Sequence, residues 1–218
     1  MPKKRPTKAN PVGRPPADSG SPARLRLIEV AAERFAAQGF EATSLKQVAE
    51  GAGVTPAMIA YYFKDKTGLL EAVVVEGLER LLSALQAAVQ EHTPGEFVPG
   101  MIRRYLHTIS AAPWIPQLLM REVVSRDTPL RQMFVERFAT RAFNLIPPRV
   151  FEEMQAGRLN RDLDLRFTLL SLLGICVFPF LAHPVLGRLL EYDLDPAFGA
   201  RYADHAVRLF LQGTGGDA

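Results

Sequence analysis

Residues 26–73 read RLIEVAAERFAAQGFEATSLKQVAEGAGVTPAMIAYYFKDKTGLLEAV, and the punctuation of this stretch decides the fold. Leu27, Ile28, Ala31, Ala32 and Phe35 recur at helical spacing, which predicts a helix from about Ala23 to Gln38. Gly39 supplies the left-handed stop and Phe40 packs back on the helix it ends. Ser44 with Gln47 three residues on forms a capping box, and Gly51 and Gly53 end that second helix within about two turns. Thr55 caps a third helix with Pro56 at its first position, where a missing N–H costs nothing. It ends near Phe63, and Asp65 caps a long amphipathic helix. Two short helices joined by a glycine turn and braced by a preceding helix make a helix-turn-helix. Val48, Ala49, Val54, Ile59 and Phe63 are placed for its core. Ser44, Lys46, Thr55, Pro56, Ala57, Met58, Tyr61 and Tyr62 are left to face outward. A short helix exposed at its N-terminal end is what the DNA major groove admits.

The wording of the stretch closely resembles the DNA-binding domain of the TetR family of bacterial transcriptional regulators. The resemblance is carried by Ala32, Phe35, Gly39-Phe40, Thr43-Ser44, Val48-Ala49, Ala52-Gly53-Val54, Tyr61-Tyr62-Phe63, Lys66 and Leu69-Leu70, in order and without insertion. It implies that Ser44 and Lys46 meet the DNA backbone or an adjacent base. Thr55, Pro56, Ala57 and Met58 would present the front of the recognition helix to bases, and Tyr61 and Tyr62 would reach phosphates and thymine methyls. Lys66 would anchor a phosphate beside a helix N-terminus, with Lys64 as a further phosphate contact. The sequence departs from the family at Ala60, where a tyrosine is common. Pro56–Tyr62 also contains no Arg, Asn or Gln, so bidentate reading of guanine or adenine from this helix is ruled out. Specificity is left to apolar contacts, Lys46 and DNA shape.

Working outward, the N-terminal tail is different material. Six of the first 22 residues are proline, and five basic residues face one acidic. This segment reads as a disordered basic tail. Pro11-Val12-Gly13-Arg14-Pro15-Pro16 contains a Gly-Arg-Pro core resembling an AT-hook, whose arginine (Arg14) enters narrow A·T minor grooves; the other reading is a solubilising tail. Residues 1–70 hold 11 basic and 6 acidic residues, whereas the rest of the 218-residue chain is slightly acidic, so the formal +3 conceals a basic front. The single cysteine, Cys176, excludes an internal disulfide framework. His92, His107, His183 and His205 show no ligand spacing, and no P-loop, G-x-S-x-G, H-E-x-x-H or dinucleotide motif occurs. Neither catalytic residues nor a metal or cofactor is expected.

After residue 73 the apolar positions keep helical spacing, so the chain reads as all-α: an N-terminal three-helix helix-turn-helix domain joined to a larger helical ligand-binding and dimerisation domain. The organisation expected is a tail over 1–22, a DNA-binding domain over 23–68, the helical body over 69–213 and a disordered tail over 214–218. Helices are expected at Phe97–Ser110, Trp114–Ser125, Leu130–Ile146, Val150–Ala156, Asp164–Ala182 and Pro196–Leu211, with Pro147-Pro148 separating the third and fourth. Phe167–Gly187 has 21 residues without Lys, Arg, Asp or Glu, the length of a bilayer span, but Pro179 and Pro184 interrupt it. We read it as a helix buried against the core and a partner subunit, with no membrane role. The family resemblance implies that the last two long helices form the homodimer seam, and two-fold symmetry then implies a palindromic double-stranded operator. It also implies a small-molecule inducer, hydrophobic or aromatic, with His107, Trp114, Phe138 and Phe178 as candidate contacts. Taken singly, each is read first as a packing residue, and His107 as a core histidine. The functional expectation is a ligand-responsive, cytoplasmic, nucleoid-associated repressor. The alternative, a helical protein–protein adaptor, leaves residues 26–73 unexplained.

Overall fold

The computed structural model describes residues 21–91, 95–195 and 197–214. The tail with Arg14, most of the C-terminal tail and the expected helix break at His92-Thr93-Pro94 lie outside them. The described residues are helical throughout, without a strand. The helices are α1 (Pro22–Gln38), α2 (Leu45–Gly51), α3 (Pro56–Phe63), α4 (Lys66–Glu91), α5 (Phe97–Ala111), α6 (Trp114–Leu119), α7 (Pro129–Met133), α8 (Thr140–Gln155), α9 (Leu165–Leu189) and α10 (Phe198–Thr214). Two wider π-helical turns, Met120–Val124 and Phe134–Ala139, continue α6 and join α7 to α8.

The local signals of the first two helices act as their chemistry dictates, while Thr55 occupies the N-cap of α3 without a side-chain capping bond. Gly39 ends α1 at φ 89°, its N–H bonded to the Phe35 carbonyl, and the rings of Phe35 and Phe40 lie 5.5 Å apart. Both halves of the Ser44–Gln47 capping box form. At the other end of α2, Val54 N–H reaches the Ala49 carbonyl and Gly53 N–H the Glu50 carbonyl, with Gly53 at φ 64°. This paired pattern closes the helix on itself, and the residue at its centre must be left-handed, which is why it is glycine.

Apolar burial divides into two clusters that meet along α4. The first gathers Leu27, Ile28, Phe35, Val48, Ile59, Phe63 and the front of α4, and is closed by Leu118, Val123 and Leu130 from further along the chain. The second joins the back of α4 to α5, α8, α9 and α10, with Ile102, Leu106, Ile109 and Phe180 fully buried. Trp114 packs against both clusters, its ring against Gly77 of α4.

Proline positions correct the sequence reading. Helix α8 passes through Pro147 and Pro148 without a break, because the carbonyls they orphan belong to the exposed residues Phe143 and Asn144. Helix α9 continues past the expected end at Ala182, through Pro179 and Pro184, to Leu189. Pro179 has no N–H for the Ile175 carbonyl, and the Tyr202 hydroxyl from α10 donates to that carbonyl at 2.9 Å instead. Tyr192 likewise donates to the Pro179 carbonyl at 2.8 Å.

The core takes only one edge of α9: Thr168, Leu172, Cys176, Phe180 and Gly187. Phe167, Leu170, Phe178, Val185 and Leu189 remain 59–70% exposed. Within one chain, then, this helix is not buried on nearly all sides as its composition suggests. It is also the one described helix long and apolar enough to cross a membrane by length and composition.

If Tyr202 compensates for Pro179, Tyr202→Phe should lower stability by about 1 kcal/mol through the orphaned Ile175 carbonyl. Urea unfolding should show the midpoint falling with an unchanged slope, and an unchanged midpoint would show that the bond contributes nothing.

Candidate nucleic-acid interface and ligand cavity

The front of α3 is free of the contacts that usually bury a helix start. Thr55, Pro56 and Ala57 are exposed, and the Thr55 hydroxyl makes no capping bond, so it is left for another partner. Ser44 is exposed but committed to its capping box. Lys46 is exposed, 3.8 Å from Glu50 one turn on. Met58 differs from expectation: it is half-buried against the first core, since the α3 face carrying Ile59 and Phe63 also draws in its neighbour. Tyr61 and Tyr62 are half-buried, their rings 4.8 Å apart.

Three side chains are held more firmly than the sequence suggests. The hydroxyls of Tyr62 and Ser21 share a hydrogen bond of 2.8 Å, tying the C-terminal end of α3 to the start of α1. Lys66 donates to the Glu41 carbonyl at 3.1 Å and lies 4.5 Å from the Phe40 ring centre, so its ammonium sits beside the α1–α2 loop at the α4 N-terminus. Lys64 is exposed at φ 70°, ψ −58°, with Asp65 N–H bonded to the Phe63 carbonyl at 2.9 Å. That is a γ-turn in the strained positive-φ form, and it folds the chain from α3 into α4 within two residues. Gly68 completes the corner: its N–H is capped by Asp65, and any Cβ there would collide with the Phe63 carbonyl. Ser44, Lys46, Thr55–Ala57, Lys64 and Lys66 thus belong to α2, to α3 and to the corner that follows it, with the first turn of α3 left open.

The body holds an apolar cavity of about 520 Å³ between α4, α5, the second π turn, α8 and α9. Its walls include Leu85, Met101, Phe134, Phe138, Leu169 and Leu172, and polar groups are few. Tyr105 contributes a phenol whose pKa burial pushes far up, so it stays a neutral donor. Cys176 contributes a thiol that burial pushes up to about 12. Arg166 stands at the rim, paired with Asp164 at 2.6 Å; the hydrogen bonds from Arg166 hold that carboxyl down to about 2. The pair therefore stays ionised at neutral pH.

Of the four ligand contacts expected from sequence, only Phe138 lines this cavity. Trp114 packs against Gly77 of α4 instead, where the missing side chain lets the ring approach the helix. Phe178 points away from the core on the outer face of α9. His107 is no core histidine: it is exposed, in a separate groove with Arg103 and Arg104, which pair with Asp204 and Glu91. Tyr105 and Phe134 lie in body helices and Arg166 at the edge of the apolar stretch, but the sequence did not choose them as contacts, because nothing local distinguishes a helix position facing a void from one facing a packed core. No group of His, Cys, Asp and Glu suited to a metal occurs among the described residues.

A thiol with a pKa near 12 is about one part in ten thousand thiolate at pH 8. Ellman's reagent should therefore find almost no reactive thiol in the native protein at pH 8 and one per chain in urea; rapid native reaction would contradict this placement.

Comparison with known proteins agrees with this geometry. The model of the bacterial regulatory proteins of the tetR family matches residues 27–73. The transcriptional regulator YttP of Bacillus subtilis is 26% identical over 191 residues, covering 86% of this chain and 91% of its own length. In fold, the chain resembles the fatty acid degradation regulator FadR from Bacillus halodurans, with a TM-score of 0.69 at 21% identity, covering 88% of this chain and 96% of that one. It also resembles FadR from Bacillus subtilis in complex with stearoyl-CoA, with a TM-score of 0.63 at 20% identity, covering 84% and 97%. With the helix-turn-helix of α2 and α3 and an all-helical body in place, residues 27–73 form a DNA-binding domain of the tetR family of bacterial regulatory proteins, and the chain is a DNA-binding transcriptional regulator.

Proposed function

We propose that this regulator is a ligand-responsive repressor that binds a palindromic operator as a homodimer, in the cytoplasm and on the nucleoid. The observation that carries the reading is the pairing of an open first turn on α3 with an apolar cavity in the body that opens to solvent beside Phe143, Leu170 and Leu173. Thr55, Pro56 and Ala57 present a hydroxyl and apolar surface suited to thymine methyls, while Ser44, Lys46, Tyr61, Tyr62, Lys64 and Lys66 serve the phosphates around them. Arg14 of the tail adds a minor-groove contact. We assign residues 23–68 to DNA binding and 69–213 to ligand and partner, with no catalytic role.

The exposed apolar stripe of α9 supports the homodimer, since a soluble chain does not leave Phe167, Phe178, Val185 and Leu189 in water along one helix face without a partner. The ligand is best matched by an amphiphile: an apolar body for the cavity, a hydrogen-bond acceptor for Tyr105, and a polar end at the ionised Arg166–Asp164 pair on the rim. The Bacillus subtilis FadR structure, which contains stearoyl-CoA, supports that class of compound for this chain. The ligand acts only through its differential affinity for conformers that do and do not span two half-sites.

Sequencing genomic fragments retained by the purified protein should recover a palindrome near a promoter. On that fragment, Lys66→Ala should weaken binding about equally across sequence variants and lower the salt slope by ~1. Unaltered affinity and slope would remove Lys66 from the interface. Replacing both Phe178 and Val185 by Glu should give a monomer by sedimentation, with helical content retained and half-sites no longer bound cooperatively. A persistent dimer would place the seam elsewhere.

A further inference from the structure

The second π-helical turn, Phe134–Ala139, faces two ways. Phe134, Phe138 and Ala139 line the apolar cavity. Phe134 and Phe138, with ring centres 5.4 Å apart, also pack against the cluster that contains α1–α3 and the front of α4. One wall of the cavity therefore also belongs to the apolar cluster that includes the DNA-binding helices, reached through α4 and α7.

This wall is wound in an unusual register. The N–H of Thr140 bonds to the Val135 carbonyl five residues back, and its hydroxyl donates to the same carbonyl at 2.8 Å. A mid-helix π turn carries one more residue per hydrogen-bonded ring than an α turn, is rare, and is frequent at functional sites. Changing the winding re-aims Phe138 relative to Phe134, so one arrangement cannot slide continuously into the other. The neighbouring π turn is fixed on the DNA side. Ser125 N–H reaches the Met120 carbonyl, Arg131 clamps the Val123 and Val124 carbonyls at 3.2 and 3.0 Å, and the Arg121 guanidinium lies over Gly39 at the end of α1.

We propose that Phe134–Ala139 is the two-state element through which occupation of the cavity reaches the DNA-binding domain. The π register seats Phe134 and Phe138 on the DNA-side cluster and supports operator binding. A ligand pressing on the cavity face of these two rings favours the α register and withdraws that support. The inference rests on the ligand-responsive reading above and names the residues that carry the response. The physical warrant is one element that touches the cavity and the DNA-side cluster at once, so that a change on either face bears on the other.

The test needs no ligand. Ala142→Phe places a ring into the cavity from the turn of α8 next to Phe138 and mimics an occupant. Thr140→Val removes the hydroxyl bond to Val135 while keeping side-chain shape. Both should weaken operator affinity, Ala142→Phe by about ten-fold, within the usual range of coupling between sites. Amide exchange should rise in 134–140 and in 27–63 but not in α10. The emission of Trp114, the single tryptophan, should shift with them while dimer mass and helical content hold. Operator binding within twofold of wild type in Ala142→Phe, or weakened binding with exchange in 134–140 unchanged, would overturn the proposal. If the wild-type protein retains no DNA at all, the DNA-binding reading fails on its own. The joint change of exchange in 134–140 and 27–63 then still decides whether the two regions are coupled.

Discussion

Both cores share helix α4, and the place where they are pinned together is the contact of Gly77 with Trp114. A residue without a side chain lets the indole approach the helix backbone, and any Cβ at that position would press on the ring at 3.1 Å. Because α4 is a single helix of 26 residues, about 39 Å long, the front that supports α2 and α3 cannot tilt independently of the back that lines the cavity. The γ-turn at Lys64 and the Gly68 corner then join the recognition helix to α4 without slack. A regulator needs such stiffness: small changes in the body become changes in the position of α3 only if the segments between them do not absorb the motion.

Charge and apolar surface divide the labour between the two ends. The recognition helix carries no ionisable group except its two tyrosines, so we assign the attraction to DNA to Lys46, Lys64 and Lys66, on α2 and the corner around it. Lys66 is oriented by the Glu41 carbonyl and the Phe40 ring, so in the role we assign it less side-chain ordering is left for binding to impose. At the other end the apolar content of α9 serves two faces. Leu172 and Cys176 belong to the core and the cavity wall, whereas Phe167 and Phe178 lie on the face we assign to a second subunit.

Most of the DNA-binding domain was legible in the sequence, and the body was legible only as helices. Gly39, the Ser44–Gln47 box, Gly53, Pro56 and Asp65 each act within one turn of their own position, so their effects can be read without knowing what packs nearby. Arg14 belongs to the tail and was named from three residues alone. The cavity was different. Trp114, Phe138, Phe178 and His107 look alike as large side chains in amphipathic helices, yet one lines the cavity, one joins two cores, and two are exposed on separate faces. Their destinations depend on which helices cross behind them.

The sequence by itself determined where helices begin and end in residues 22–91 and that α2 and α3 form a helix-turn-helix with Ser44, Lys46 and Thr55–Ala57 exposed, whereas packing drew Met58 and Tyr62 against its core. Tertiary structure decided whether the prolines break their helices, where the cavity lies and which winding residues 134–139 adopt. The reason is the range of the interaction that settles each question. A capping bond is made within three or four residues. The carbonyl orphaned by Pro179 is satisfied by Tyr202, 27 residues from Ile175, and the rings of Phe134 and Phe138 take their places against helices from both ends of the chain.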